Sequence, residues 1–277
     1  MQTYRRKLFF LALTLLFHSA SNWAHPGAKE SLERLSAAIS SKPKSPLPLL
    51  ARAHLLTEEG AYPAALEDIR RVEAIGHPLD AAAELGNLFY HMKNYGAAQG
   101  ALSRYLGAHP QHSQSLRLRA LCWVKLGVPE AALQDFLAYL ERAPQIGPSD
   151  YLMPAQLLAA SGPESVIKAL ELLDRGLNSI GPNPQLQRYA VELELLLGNT
   201  QGAQSRWQTQ AVSMKNSPEW SLRMAELYLR GDDTSQAMVL LDQASSRLDE
   251  LRVTPARKQL AQRIENVRAE PGQYQPN

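Results

Sequence analysis

The residues of this chain best suited to chemistry are its histidines. His109 and His112 stand three residues apart in the stretch HPQH, a weak pattern for a metal site. If the chain is cleaved after Ala24, His25 becomes the first residue, and its α-amine and imidazole could bind one Cu(II) ion. Pro26 has no amide hydrogen to lose, so a third ligand would have to come from elsewhere. His25 is therefore a candidate metal ligand, the alternative being an ordinary N-terminal residue.

The spacings that indicate the common catalytic sites do not occur in the sequence. It holds no HExxH, CxxC, glycine-rich phosphate loop or nucleophile elbow. Two acidic pairs, Glu58-Glu59 and Asp232-Asp233, fall where helix ends and turns are expected, which favours a solvated surface over a general acid and base. The single cysteine, Cys122, is interpreted as a buried helical thiol. We expect a protein that is not an enzyme and has no cofactor.

The N-terminal residues have the layout of a secretory signal peptide. Arg5, Arg6 and Lys7 precede a ten-residue apolar run, Leu8 to Phe17, and small and polar residues follow it. As a helix this run would span only about 15 Å, against roughly 30 Å of bilayer hydrocarbon. We expect residues 1–24 to be removed, which predicts a periplasmic or secreted protein without membrane insertion after cleavage.

The charge of the chain changes with that cleavage. The intact sequence has 29 Lys and Arg residues against 27 Asp and Glu residues. Three of the cations and none of the acids lie in residues 1–24, so the remainder carries 26 cations and 27 anions, a net charge of −1. This balance gives no indication of nucleic acid or of an anionic membrane as a partner.

A pattern of small and large apolar residues recurs three times along the chain. Its alanines at 65, 98 and 132 are 33 and 34 residues apart, and each follows a small residue by twelve positions and precedes a large apolar residue by four. The pattern comprises Ala53, Ala65 and Ile69 in the first repeat, Gly86, Ala98 and Leu102 in the second, and Ala120, Ala132 and Phe136 in the third.

Each repeat predicts two antiparallel helices joined by a short turn. Apolar residues at helical spacing give each helix one packing face, and the small residues let the two helix axes approach. Gly60, Asn94 and Gly127 mark the turns, where a residue that tolerates positive φ is useful. Pro78, Pro110 and Pro144 follow the second helices, where they end one repeat and begin the next.

These residues resemble the tetratricopeptide repeat (TPR) family, whose 34-residue unit is a helix-turn-helix. The resemblance implies an all-α fold, a right-handed α-solenoid of helix pairs with capping helices at both ends. We expect an N-terminal capping helix and linker at 25–45, three well-matched repeats at 46–146, and three divergent ones at 147–250. A C-terminal capping helix at 251–269 and a disordered tail at 270–277 would complete the chain. In the fourth repeat the turn, SGPES, is expected to be about two residues longer than the others.

By similarity to the family, the first helix of each repeat lines a concave groove that binds a peptide or a partner's helix. The predicted partner is accordingly another protein or peptide, bound by side chains outside the packing faces of the first helices. The strongest candidates for that groove are His54, Asn87, Tyr90, His91, Arg117 and Lys125. The alternative is that these side chains are simply solvated.

Overall fold

The computed structural model describes residues 27–209, 214 and 216–274. Within these ranges the chain forms fourteen α-helices and no strand, and successive helices within each of its two compact units pack against each other. The predicted all-α fold of successive helix pairs is confirmed. The chain divides into two compact units, one up to Val128 and one from Pro129, so the division falls inside the third predicted repeat.

The described part of the N-terminal unit, from residue 27, contains six helices. They are α1 (Ala28–Ser41), α2 (Pro46–Glu58), α3 (Tyr62–Ala74), α4 (Pro78–His91), α5 (Tyr95–Ala108) and α6 (Ser113–Leu126). Each helix packs on the next, and α4 also packs on both α2 and α6. The first helices of the three repeats, α2, α4 and α6, therefore lie side by side.

The C-terminal unit contains the remaining eight helices. They are α7 (Pro129–Leu140), α8 (Pro148–Ala160), α9 (Pro163–Ile180), α10 (Pro184–Leu196), α11 (Thr200–Gln208), α12 (Pro218–Arg230), α13 (Thr234–Asp249) and α14 (Pro255–Ala269). Helix α12 packs on α11, α13 and α14. A 3-10 turn, Pro271–Tyr274, also packs on α12, so the segment expected to be a disordered tail contains an ordered turn.

The turns within the helix pairs depend on residues with positive φ. Gly60 and Gly127 have φ of 76° and 73°, as their predicted turn positions require. In the second repeat the residue with positive φ is Lys93, at 60°, whereas the sequence analysis assigned this turn to Asn94. Asn94 instead caps α5, because its side-chain oxygen accepts a hydrogen bond from the backbone N–H of Ala97 at 3.3 Å.

The turn of the fourth repeat is short, contrary to the prediction of a longer one. Only Ser161 and Gly162 separate α8 from α9. The additional residues of this repeat extend the start of α9, where Pro163 occupies the first turn of the helix with its φ already suited to that position. The insertion is therefore helical.

Helices α4 and α5 make a close contact at Gly86, a residue without a side chain. Ala53, Ala65, Ile69 and Ala98 are completely buried. A Cβ atom placed on Gly86 in α4 would lie 2.5 Å from Cγ of Leu102 in α5, well inside van der Waals contact. The side chain of Leu102 therefore occupies the space that any residue larger than glycine would need at position 86.

Ion pairs that contain a buried carboxylate connect neighbouring helices in each unit. Arg52 in α2 donates two hydrogen bonds of 2.7 Å to the buried carboxylate of Asp68 in α3, and a third, of 2.9 Å, to the hydroxyl of Ser36 in α1. In the C-terminal unit, Arg206 donates to Asp174 at 2.5 and 2.9 Å and to Glu194 at 2.6 Å. A charge buried in this way needs such partners, so each arginine fixes the relative position of three helices.

Residues 1–24, predicted to be a signal peptide, and the candidate ligand His25 lie outside the described residues. None of the helices between residues 27 and 274 that the structure describes is long and apolar enough to cross a membrane.

The contact at Gly86 predicts the effect of adding a single methyl group. Gly86→Ala should destabilise the protein by about 1–3 kcal/mol, because Leu102 and the helix backbones must shift to admit the new atom. Urea unfolding followed by circular dichroism measures the change in the free energy of unfolding.

The matched control is Gly100→Ala in α5, where a Cβ would have no neighbour within 4 Å. Helix propensity alone acts there, and the variant should be more stable than wild type by about 0.5–1 kcal/mol. If both variants proved equally stable, the close contact at Gly86 would have no energetic role.

Candidate functional site

An open cleft of about 580 Å³ lies along the adjacent helices α2, α4 and α6 of the N-terminal unit. Its lining combines histidines, one tyrosine, one carboxylate, one guanidinium and several leucines. The lining residues are His54, Ala83, Glu84, Asn87, Tyr90, His91, Leu102, His112, Gln114, Ser115, Arg117, Leu118 and Leu121. We refer to it below as the N-terminal cleft.

One part of the N-terminal cleft is a polar cluster between α2 and α4. His54 Nδ1 lies 3.1 Å from Glu84 Oε1, and the Asn87 side-chain amide donates to the same oxygen at 3.0 Å. His54 Nε2 lies 3.6 Å from Glu58 Oε1. The hydrogen bond to Glu84 raises the pKa of His54 above its ordinary value, an effect that partial burial opposes. A proton on Nδ1 makes His54 the donor to Glu84.

Aromatic rings form the part of the cleft at the end of α4. The ring of Tyr90 lies 5.6 Å from that of Tyr95 and 6.1 Å from that of His91, in both cases edge to face. Burial raises the pKa of the Tyr90 hydroxyl, and the charge of nearby Arg117 opposes this rise. Tyr90 therefore stays neutral at physiological pH and can donate a hydrogen bond.

Helix α6 contributes the third side of the cleft. His112 precedes the helix, and its Nδ1 accepts hydrogen bonds from the backbone N–H of Ser115 at 3.3 Å and from the Ser115 hydroxyl at 2.9 Å. Burial lowers the pKa of His112. At a pH between the two pKa values, His112 is therefore neutral while His54 is protonated. Half-buried Arg117 brings a cation to the same side.

Five of the six side chains predicted for partner binding line this one cleft, namely His54, Asn87, Tyr90, His91 and Arg117. Lys125 does not. It follows Arg117 by eight residues, about 12 Å along the axis of α6, and is exposed near the end of that helix.

Sequence reasoning missed Glu84, His112 and Ser115. A signal for Glu84 was present, because it precedes Asn87 by three residues and so lies on the same face of α4. For His112 no such signal existed, since the residue looks like part of a turn and its position at the cleft depends on the start of α6.

Two other residues that the sequence singled out, Cys122 and Asp233, have structural roles. Cys122 is buried, which confirms the interpretation of a packed thiol, and burial raises its pKa to about 11. Asp233 caps α13 by accepting a hydrogen bond from the backbone N–H of Gln236 at 3.0 Å. Among the described residues, no three His, Cys, Asp or Glu side chains come together as a metal site.

Comparison with known proteins identifies the helix pairs. Residues 83–145 match the family model described as tetratricopeptide repeat. The chain also resembles the solved C-terminal part of a TPR repeat-containing protein from Cytophaga hutchinsonii, with 15% identity over 73% of this chain and 80% of that one, at a TM-score of 0.57. It resembles the MamA protein with 12% identity over 65% of this chain and all of that one, at a TM-score of 0.52.

No curated protein matches the sequence. At these identities the solved structures indicate the fold alone. The family model thus matches residues 83–145, and the solved structures share the helical fold that the sequence predicted.

The hydrogen bond between His54 and Glu84 leads to a prediction for the pKa of His54. In the folded protein, NMR titration should give His54 a pKa above its ordinary 6.5, and Glu84→Gln should lower it, because the hydrogen bond to a carboxylate favours the protonated ring. Since the folded pKa exceeds the unfolded one, the pair stabilises the fold fully below the unfolded pKa, and this stabilisation is lost as the pH rises through the folded pKa.

His112 serves as the internal control. Its pKa is lowered by burial, with no contribution from Glu84, so Glu84→Gln should leave it unchanged. A His54 pKa that did not respond to Glu84→Gln would contradict the assigned hydrogen bond.

Proposed function

We propose that this chain is an exported, non-catalytic scaffold that binds a peptide segment or a partner helix in the N-terminal cleft. The observation that carries the proposal is the convergence of His54, Asn87, Tyr90, His91 and Arg117 on one open surface. These residues come from three separate helices, and Tyr90 also packs against the buried cluster of Ala98, Leu102 and Cys122.

The chemistry of the cleft suits a peptide. The carboxylate of Glu84 can accept hydrogen bonds from backbone N–H groups, and the imidazole of His54 can donate one to a backbone carbonyl. Arg117 can pair with a carboxylate. Leu118 and Leu121 give the same cleft an apolar surface for a side chain of the partner. A partner helix could use the same surface through one apolar face with polar residues at its edges.

The helical scaffold holds these groups in place before a ligand arrives. The hydrogen bonds among His54, Glu84 and Asn87 restrict three side chains that would otherwise lose rotamer freedom on binding. Rigid helices therefore present a partly ordered site, and a smaller part of the binding free energy goes into ordering it.

Mutation of the cleft tests the binding proposal. The wild-type chain should capture a defined partner from an extract of the cell envelope of its source organism. The triple variant His54→Ala, Asn87→Ala, His91→Ala should recover it with affinity lower by tenfold or more, on the order expected for loss of central contacts. These three residues are exposed or half-buried, so the fold should survive.

The matched control is Glu67→Ala, Arg70→Ala, which removes two exposed side chains of α3 outside the cleft. It should bind like wild type. If the triple variant captured the same partner as wild type with equal affinity, the N-terminal cleft would not be the binding site.

Export is tested separately by mass spectrometry of the protein produced in its own cells. The basic and apolar order of residues 5–17 predicts a mature chain that lacks residues 1–24 and is recovered outside the cytoplasm. A full-length chain found in the cytoplasm would contradict export without affecting the cleft proposal.

A further inference from the structure

A second cleft, of about 330 Å³, lies in the C-terminal unit along α10, α12 and α14. One arginine reaches it from each helix, Arg188 from α10, Arg223 from α12 and Arg263 from α14. Three guanidinium groups from three helices therefore meet at one small cleft. We call this the arginine cleft.

Two of these arginines are fixed by one buried carboxylate. Glu226 is only 1% exposed; its Oε1 accepts a 2.5 Å hydrogen bond from Arg263 Nη2, and its Oε2 accepts a 3.0 Å hydrogen bond from Arg223 Nη1. A guanidinium carries five N–H donors, so both groups keep donors for another anion. The burial of Glu226 makes this arrangement part of the fold.

The third guanidinium has no anion of its own. Arg188 is exposed and makes no hydrogen bond or ion pair with any residue in the described part of the chain. An anion in the cleft could therefore gain charge-assisted hydrogen bonds without first breaking an existing pair at Arg188.

The arginine cleft also has an apolar lining. Trp207, Leu222 and Leu260 contribute to it, and Trp207 and Leu222 are themselves buried. The Trp207 indole donates a 3.1 Å hydrogen bond to the carbonyl of Trp220, and the Trp220 indole donates one of the same length to the carbonyl of Trp207. This reciprocal pairing fixes the Trp207 ring at the cleft and satisfies its N–H group.

Two further carboxylates, Glu192 and Glu219, also line the cleft. Together with Glu226 they balance the three guanidinium charges, so the cleft as a whole would not attract a polyanion. A single carboxylate that reaches the guanidinium groups, with an apolar neighbour against Trp207, fits this distribution of charge and apolar surface.

We propose that the arginine cleft is a second binding site, which takes an acidic side chain of a peptide together with an adjacent apolar side chain. Arg188, Arg223 and Arg263 donate to the carboxylate, and Trp207, Leu222 and Leu260 contact the apolar group. This site is separate from the N-terminal cleft, so neither proposal depends on the other.

Peptide titration of the isotopically labelled full chain tests the site by NMR. The probe is acetyl-Leu-Glu-Leu-amide at millimolar concentration, and acetyl-Leu-Gln-Leu-amide is its neutral isostere. The Glu peptide should shift the Trp207 indole N–H and the Nε–H signals of Arg188 and Arg263 to saturation. It should also bind about tenfold more tightly than the Gln peptide, as expected for loss of a hydrogen bond to a charged group.

Arg188→Gln should weaken binding of the Glu peptide by about tenfold and leave binding of the Gln peptide unchanged, because no residue that the structure describes pairs with this arginine. Arg230→Gln, which removes an exposed arginine of α12 outside the cleft, should have no effect. The proposal is overturned if the two peptides bind equally, if neither shifts these signals, or if Arg188→Gln behaves like Arg230→Gln.

Discussion

The close approach of paired helices at small residues is the contact on which the rest of this structure depends. At position 86 the absence of a side chain lets Leu102 lie directly on α4, and Ala53 and Ala65 are completely buried in the preceding pair. In each pair the two helices meet through an apolar face, and the first helices α2, α4 and α6 also pack side by side. The N-terminal cleft lies along these three helices.

Apolar contacts alone allow paired helices to rotate or slide against each other. The buried ion pairs restrict these movements. Arg52 connects three helices of the N-terminal unit, and Glu226 holds arginines from two helices of the C-terminal unit. A buried charge tolerates few alternative arrangements, since a displaced partner leaves it unpaired. Glu226 also positions two of the donors of the arginine cleft. The same residue therefore contributes to stability and to a candidate site.

The repeat pattern of the sequence was sufficient to predict the helix pairs, because a period of 33 or 34 residues with small residues at fixed places has few structural solutions. Turn details were harder to predict. Asn94 was a plausible residue for positive φ, yet Lys93 adopts it, because the asparagine is better used as a helix cap. The insertion in SGPES extends a helix, which composition alone could not distinguish from a longer loop.

The site could be predicted only in part. Face periodicity identified His54, Asn87 and Arg117, but contacts between different helices depend on the offset of one helix against the next, which the pattern does not specify. The arginine cleft, which joins residues of three helices, could not be predicted for this reason. Lys125 does not line the N-terminal cleft, because it lies about two turns beyond Arg117 along α6.

Photo-crosslinking in living cells tests most directly whether the N-terminal cleft binds a partner. Benzoylphenylalanine is placed at position 87, in the cleft, and separately at position 70, an exposed position on α3 outside it. The account predicts a discrete crosslinked protein from position 87 and none from position 70. Crosslinks to the same proteins from both positions, or a discrete product from position 70 alone, would contradict it.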